Sequence, residues 1–245
     1  MCGRYAYTLP RDAMRSFLNT LNDIDCPPRY NIAPTQPIVI ALEDGAGRMA
    51  RLVRWGLVPH WVKDPREFPL LVNARSETIA EKPAFRDAVK HHRCVVPASG
   101  YYEWQRAGGN KTPYYVARSD GQPMAMAGLW STWIGPDGEE IDTATIVTVI
   151  ANEQLSEVHN RMPAILERDS IDAWLDVRNV RAGEAMAHLV ASKEGVLKFH
   201  AVSSAVNSAK NDGSALIQVA RAANNPDSAK AMEVKKKKDR QLDLF

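Results

Sequence analysis

The residue in this 245-residue chain whose position alone gives it unusual chemistry is Cys2, in the opening MCGRY. Methionine is normally removed ahead of a small second residue, which would leave an α-amine and a thiol on adjacent carbons. An α-amine titrates near 7.7 to 8.0 against about 10.4 for lysine, so a useful fraction is a neutral nucleophile at physiological pH. The thiol, near 8.5, is partly ionised and can be pushed further by a neighbouring arginine or histidine. Amine and aldehyde give an imine with loss of water, and the sulfur can then close on it as a thiazolidine. A lysine Schiff base cannot make that second bond. Position alone gives equal weight to a small buried cysteine near the start of a strand.

Three other clusters carry chemistry. In ASGYYEW (98–104), Glu103 stands among Tyr101, Tyr102 and Trp104. Strand alternation puts Tyr101 and Glu103 on one face and Tyr102 and Trp104 on the other. A carboxyl against aromatic surface is a candidate general acid. In HNRMP (159–163), His159 is suited to proton transfer and Arg161 to holding a phosphate. In NARSET (73–78), Asn73 and Arg75 are suited to orienting an amide and a phosphate at the end of the strand PLLV. WGLVPHW (55–61) offers two tryptophans around a proline, for base stacking or for the core. Phosphate-loop, dinucleotide-binding, H-E-x-x-H and paired C-x-x-C patterns are absent. His91, His92 and Cys94 lack zinc spacing and read as a helix end entering a strand. Neither a metal nor a cofactor is expected.

Strands supply most of the elements that must position these residues. A short strand covers Gly3 to Tyr7, and a helix runs through TLPRDAMRSFLNTL, with Thr8 as its N-cap and Pro10 in its first turn. PIVIALEDGAGRMARLVRWG alternates and turns at Asp44-Gly45, as a hairpin does. A second helix is expected over Pro83 to His91. RCVVPASGYYEWQR, TPYYVARS, PMAMAGLWSTWI and TATIVTVIA then form a meander separated by glycine-rich turns. Short helices around Asp172 to Asp176 and Glu184 to Ser192 precede a strand at Val196 to Val202. The fold class is α+β, a curved, mostly antiparallel, barrel-like β-sheet with helices at its margins.

At this length one large domain with an appendage is expected. No apolar run approaches the roughly 18 residues of a spanning helix, and no signal peptide is visible, so the chain is expected in the cytoplasm as a monomer. Three cysteines (Cys2, Cys26, Cys94) argue for reduced thiols there. Net charge is +2, and the last nineteen residues, with six basic side chains against four acidic ones, account for it. A body near neutrality must bind a polyanion through a local patch. The composition shifts near residue 222: residues 1–221 form the domain, 222–240 read as a disordered Lys-rich tether spanning roughly 25 Å, and QLDLF (241–245) follows.

MCGRY, RYNIAPTQ, WGLVPHW, NARSET, CVVPASGYYEW, MAGLW and HNRMP, in this order and spacing, resemble the SRAP family (SOS response-associated peptidase domain) over about residues 2 to 220. The resemblance implies DNA repair: binding of an abasic site in single-stranded DNA and covalent attachment to it, which shields the lesion from cleavage. By the same resemblance Cys2 is the crosslinking residue, Asn73 positions the N-terminus and sugar, Glu103 assists opening of the sugar, and His159 takes part in proton transfer and reversal. Arg4 and Arg75 match backbone-binding arginines, Arg161 joins them, Thr148 matches a threonine contacting DNA, and Trp61 is a weaker candidate. The family name also implies autopeptidase activity, and abasic-site processing implies lyase-type chemistry. QLDLF resembles the pentapeptide that binds the bacterial sliding clamp, through Gln241, Leu242, Asp243, Leu244 and Phe245, and would place the protein at the replicating nucleoid. Two rivals stand beside this reading. Class II glutamine amidotransferases also begin Met-Cys-Gly, with the thiolate attacking a glutamine amide, and a non-enzymatic DNA binder would use Cys2 only structurally.

Overall fold

Alternating apolar segments of this length need two faces of cover, and the chain supplies them by building two sheets. The computed structural model describes residues 2–220; the tether and QLDLF lie outside the described residues. The strands are β1 (Tyr5–Tyr7), β2 (Arg29–Ile32), β3 (Pro37–Glu43), β4 (Arg48–Trp55), β5 (Asn73–Arg75), β6 (Arg93–Ala98), β7 (Gly100–Ala107), β8 (Asn110–Arg118), β9 (Met124–Ile134), β10 (Glu140–Ile150), β11 (Arg161–Pro163), β12 (Ile165–Leu166) and β13 (Leu197–Ala201). The helices are α1 (Arg11–Leu18), α2 (Ala88–His91), α3 (Glu153–Ser156), α4 (Arg168–Leu175) and α5 (Ala182–Met186), all short.

The smaller sheet has the order β13-β8-β7-β1-β2. In the larger, β10 pairs with β9, β4, β5 and β11 along its eleven residues. Pairing runs from β10 through β4, β3, β6 and β9 back to β10. This ring is partial, not a closed barrel, because β3 meets β6 at the single register pair Ala41–Val95. Most pairings are antiparallel, as expected; β4 and β5 run parallel to β10. The α+β class stands.

Three local expectations change. RCVVPASGYYEWQR is two strands in different sheets, β6 and β7, divided at Ser99. Ser99 donates its N–H to Ala6 O (2.8 Å), and its Oγ accepts from the N–H and hydroxyl of Thr8 (2.8 and 2.9 Å). Thr8 is thereby taken from the cap position, and α1 starts after Pro10 without a side-chain cap. The second helix is a single turn, α2, preceded by turns, because Pro83 opens a stretch that closes through N–H bonds to Lys82 rather than a continuing helix. Glycine at position 100 lets β7 approach β8: a Cβ there would lie 2.5 Å from the Tyr115 ring and Val116 O.

Apolar residues from both sheets and the helices form one core, and a second cluster of Ala6, Tyr102, Tyr115, Val202, Val206 and Leu216 lies on the other face of the smaller sheet. Arg93 is buried in the larger core and donates to the carbonyls of Val89, Trp174, Asp176 and Val180 at 2.5 to 3.0 Å. It closes the C-terminal ends of α2 and α4, whose last carbonyls have no partner within their helices.

Candidate active site

The site lies where the two sheets meet. β1 pairs with β7, setting Tyr5 opposite Tyr101, and the Tyr102 N–H donates to Arg4 O at 2.9 Å. This register brings the chain start alongside Glu103. The alternation read from the sequence holds: Tyr101 faces the main core with Cys2, and Trp104 packs with Tyr102 on the second cluster. From the larger sheet, Asn73 at the head of β5 donates from Nδ2 to the carbonyl oxygen of Cys2 at 2.9 Å. Its Oδ1 is buried without a hydrogen-bond partner among the described residues.

Cys2 is fully buried. Burial, then the negative charge of Glu103, pushes its thiol up to about 12. No arginine or histidine charge offsets this: the sulfur has a carbonyl, Arg4 O, at 4.0 Å and an acid nearby, and the opposing N-terminal charge is the smaller effect. A thiol in this setting stays protonated at physiological pH. Glu103 is 6% exposed, and its Oε1 accepts the Trp104 N–H at 3.2 Å.

His159 follows the single turn α3, which Asn152 caps by accepting the Leu155 N–H at 2.9 Å. His159 and Glu103 line one groove of about 520 Å³ with Trp104, Arg106, Lys111 and Asn160. Nδ1 of His159 is 3.0 Å from the Arg161 backbone nitrogen and 3.4 Å from Arg161 O. The amide can only donate, so the shorter contact is made with Nδ1 unprotonated, which in the neutral ring puts the proton on Nε2.

The remaining candidates divide. Arg75 is exposed and makes no side-chain hydrogen bond among the described residues, as a phosphate ligand requires. The Arg161 side chain is 11% exposed, Nη1 and Nη2 grip Glu77 (2.6 and 3.0 Å), and Nη2 also reaches Thr148 O (2.6 Å) and Oγ1 (3.1 Å). Its bidentate edge is already filled by a carboxylate. Thr148 is fully buried and accepts from Arg161 through both its carbonyl and its hydroxyl oxygen. Arg4 spends Nη1 on Asn31 Oδ1 and Val206 O, both 2.8 Å. Trp61 is 50% exposed and packs edge-on against Phe68 on the loop between β4 and β5.

Sequence reasoning assigned no role to Trp104, Lys111, Asn31 or Glu77. The Trp104 ring has Lys111 Nζ at 5.0 Å and the Arg4 guanidinium at 6.0 Å from its centroid, and its indole N–H donates to Asn207 at 2.7 Å. An aromatic side chain beside basic ones was visible in EWQR, but the hairpin that brings Lys111 back to it was needed to see the group. Among the described residues no group of three or more His, Cys, Asp or Glu could hold a metal ion, and no helix is long and apolar enough to cross a membrane.

The family model for SOS response associated peptidase (SRAP) matches residues 1–209 of this chain. The chain belongs to the SRAP family. SRAP relatives include the Bacillus subtilis abasic site processing protein YoqW, 35% identical over 89% of this chain and 99% of its own length. The Escherichia coli abasic site processing protein YedK is 33% identical over 89% and 99%. The Gallus gallus abasic site processing protein HMCES is 35% identical over 86% and 76%. The SRAP fold here also resembles a solved Bacteroides thetaiotaomicron protein, with TM-score 0.78 and 25% identity over 89% of this chain and 100% of the other.

Proposed function

We propose that this SRAP protein is a DNA-repair protein that processes abasic sites by crosslinking to them, and that it does so on single-stranded DNA through a thiazolidine at Cys2. The carrying observation is Cys2 buried beside Glu103, which itself lines one groove with His159.

A closed deoxyribose has no carbonyl. The Glu103 carboxylate takes the proton of the 1-hydroxyl and passes it to the ring oxygen, and the ring opens to the aldehyde. The neutral α-amine of Cys2, freed by removal of Met1, adds to C1′, and loss of one water leaves the imine. The sulfur then bonds to the same carbon while the thiol proton ends on nitrogen. A thiol held neutral by burial suits this order, because it is not consumed by solution electrophiles and needs only a proton relay once the imine is beside it. His159, with Nε2–H in the neutral ring, is suited to that relay and to its reverse. The Asn73 amide holds the carbonyl of Cys2, and its unpartnered Oδ1 is suited to accept from the freed amine.

Trp104, Arg106 and Lys111 along the groove give a stacking face and positive charge for a single strand. Arg75 supplies a phosphate contact. Removal of Met1 needs only ordinary aminopeptidase action, though autoprocessing by Cys2 fits the family description. QLDLF would tether the domain to the sliding clamp on replicating DNA.

The deciding experiment incubates the protein with an abasic single-stranded oligonucleotide and separates the products on a denaturing gel. The wild type gives a heat-stable shifted band and Cys2→Ala gives none. Absence of the band from the wild type, or ammonia release from glutamine, refutes this function.

A further inference from the structure

The ion pair between Glu77 and Arg161 joins two segments 84 residues apart and ends at the histidine of the site. Arg161 opens β11, a three-residue strand that follows directly on the His159 turn. Its backbone N–H is spent on His159 Nδ1. Its guanidinium is held from two sides, by Glu77 of the β5 turn and by Thr148 of β10. Bidentate guanidinium–carboxylate pairs fix direction as well as distance, and this one is largely shielded on the arginine side. The Arg161 guanidinium holds the Glu77 carboxyl below its ordinary range, so the pair stays charged through neutral pH.

We propose that Glu77 is a positioning residue: by clamping Arg161 it fixes the peptide N–H that keeps His159 Nδ1 unprotonated and its Nε2–H turned toward the groove shared with Glu103. The proposal rests on the functional reading above only for its effect on rate. The imidazole state itself is independent of that reading. Without Glu77, the Arg161 side chain is held from the Thr148 side alone, and the His159 ring can take the other tautomer.

The test records long-range ¹H–¹⁵N correlations of the histidine rings in full-length protein carrying Cys2→Ala, with His159 assigned through His159→Gln. Expected for intact Glu77 is a neutral ring with the proton on Nε2. Glu77→Ala gives a mixture of tautomers, and Glu77→Gln, which keeps one acceptor for Arg161, gives an intermediate state, while the other histidines keep their signals as a control for folding. With Cys2 restored, Glu77→Ala slows adduct formation at saturating DNA by about tenfold, inside the range general acid–base catalysis supplies. An Nδ1–H ring with Glu77 intact, or an unchanged His159 signature in Glu77→Ala, overturns the proposal, and slowed crosslinking with an unchanged signature overturns it equally. If intact protein forms no adduct at all, the functional reading falls while the ring signature still decides this one.

Discussion

Asn73 and Cys2, 71 positions apart, are joined by a 2.9 Å hydrogen bond from a side-chain amide to a main-chain carbonyl, and this bond spans the seam between the two sheets. A side chain from β5 thereby fixes the direction of the chain start, which β1 alone would leave to pivot about Gly3. Replacing Asn73 by Ala is expected to slow adduct formation by about tenfold to a hundredfold while costing the fold only about 1 kcal/mol, the worth of one hydrogen bond. Single-turnover gels and thermal melts measure the two effects. A large loss of melting temperature with normal crosslinking would reverse the assignment.

Burial and Glu103 raise the Cys2 thiol from 9.0 to about 12. Above pH 9.0 the unfolded chain releases a proton that the folded chain keeps, so this group's stability is full below that value and is lost as pH climbs toward about 12. In protein that keeps Met1, Cys2→Ala is expected to lose less stability than wild type as pH rises through this window. Cys94 and the buried tyrosines shift in the same direction, so the difference between the two proteins isolates Cys2. Denaturant melts with identical pH dependence would show that the thiol is not held neutral.

Lys111 and Arg106 flank Trp104 on the groove. Charge reversal at either, in a Cys2→Ala background that cannot crosslink, is expected to weaken single-strand binding and to reduce the salt slope by about 0.7 for each phosphate no longer neutralised. Fluorescence anisotropy across a salt series reads this. Trp104→Ala is expected to cost about 1 to 3 kcal/mol of binding with the slope unchanged, because stacking releases no counterions.

Arg93 has a different expectation, since it touches no part of the site. Arg93→Met strips donors from four carbonyls, two of them in buried hydrogen bonds, and is expected to destabilise the fold by about 3 to 5 kcal/mol. The surviving folded fraction should crosslink at the normal rate at low temperature. Calorimetry together with active-site titration checks both halves.

Deleting 241–245 is expected to abolish binding to the sliding clamp and to leave crosslinking intact. Surface plasmon resonance on immobilised clamp decides this, and unchanged affinity removes the proposed partner.

Strand alternation and the chemistry of a second-position cysteine are local properties, and the sequence alone determined them. Tyr101 and Glu103 had to share a face, the β3–β4 hairpin had to turn at Asp44-Gly45, and Cys2 had to be a double nucleophile once freed. The order of motifs brought Asn73, Glu103 and His159 into one candidate list. The state of each group was decided only by tertiary structure. Desolvation left the Cys2 thiol neutral where a lone cysteine would be partly ionised. Glu77, two residues beyond Arg75 in NARSET, reached across 84 positions to take the guanidinium that a phosphate was expected to fill. Thr148 went under, and Ser99 divided one apparent strand between two sheets. Periodicity is written in neighbouring residues, whereas burial and ion pairing depend on which distant segment arrives. That is fixed by how the two sheets close on one core.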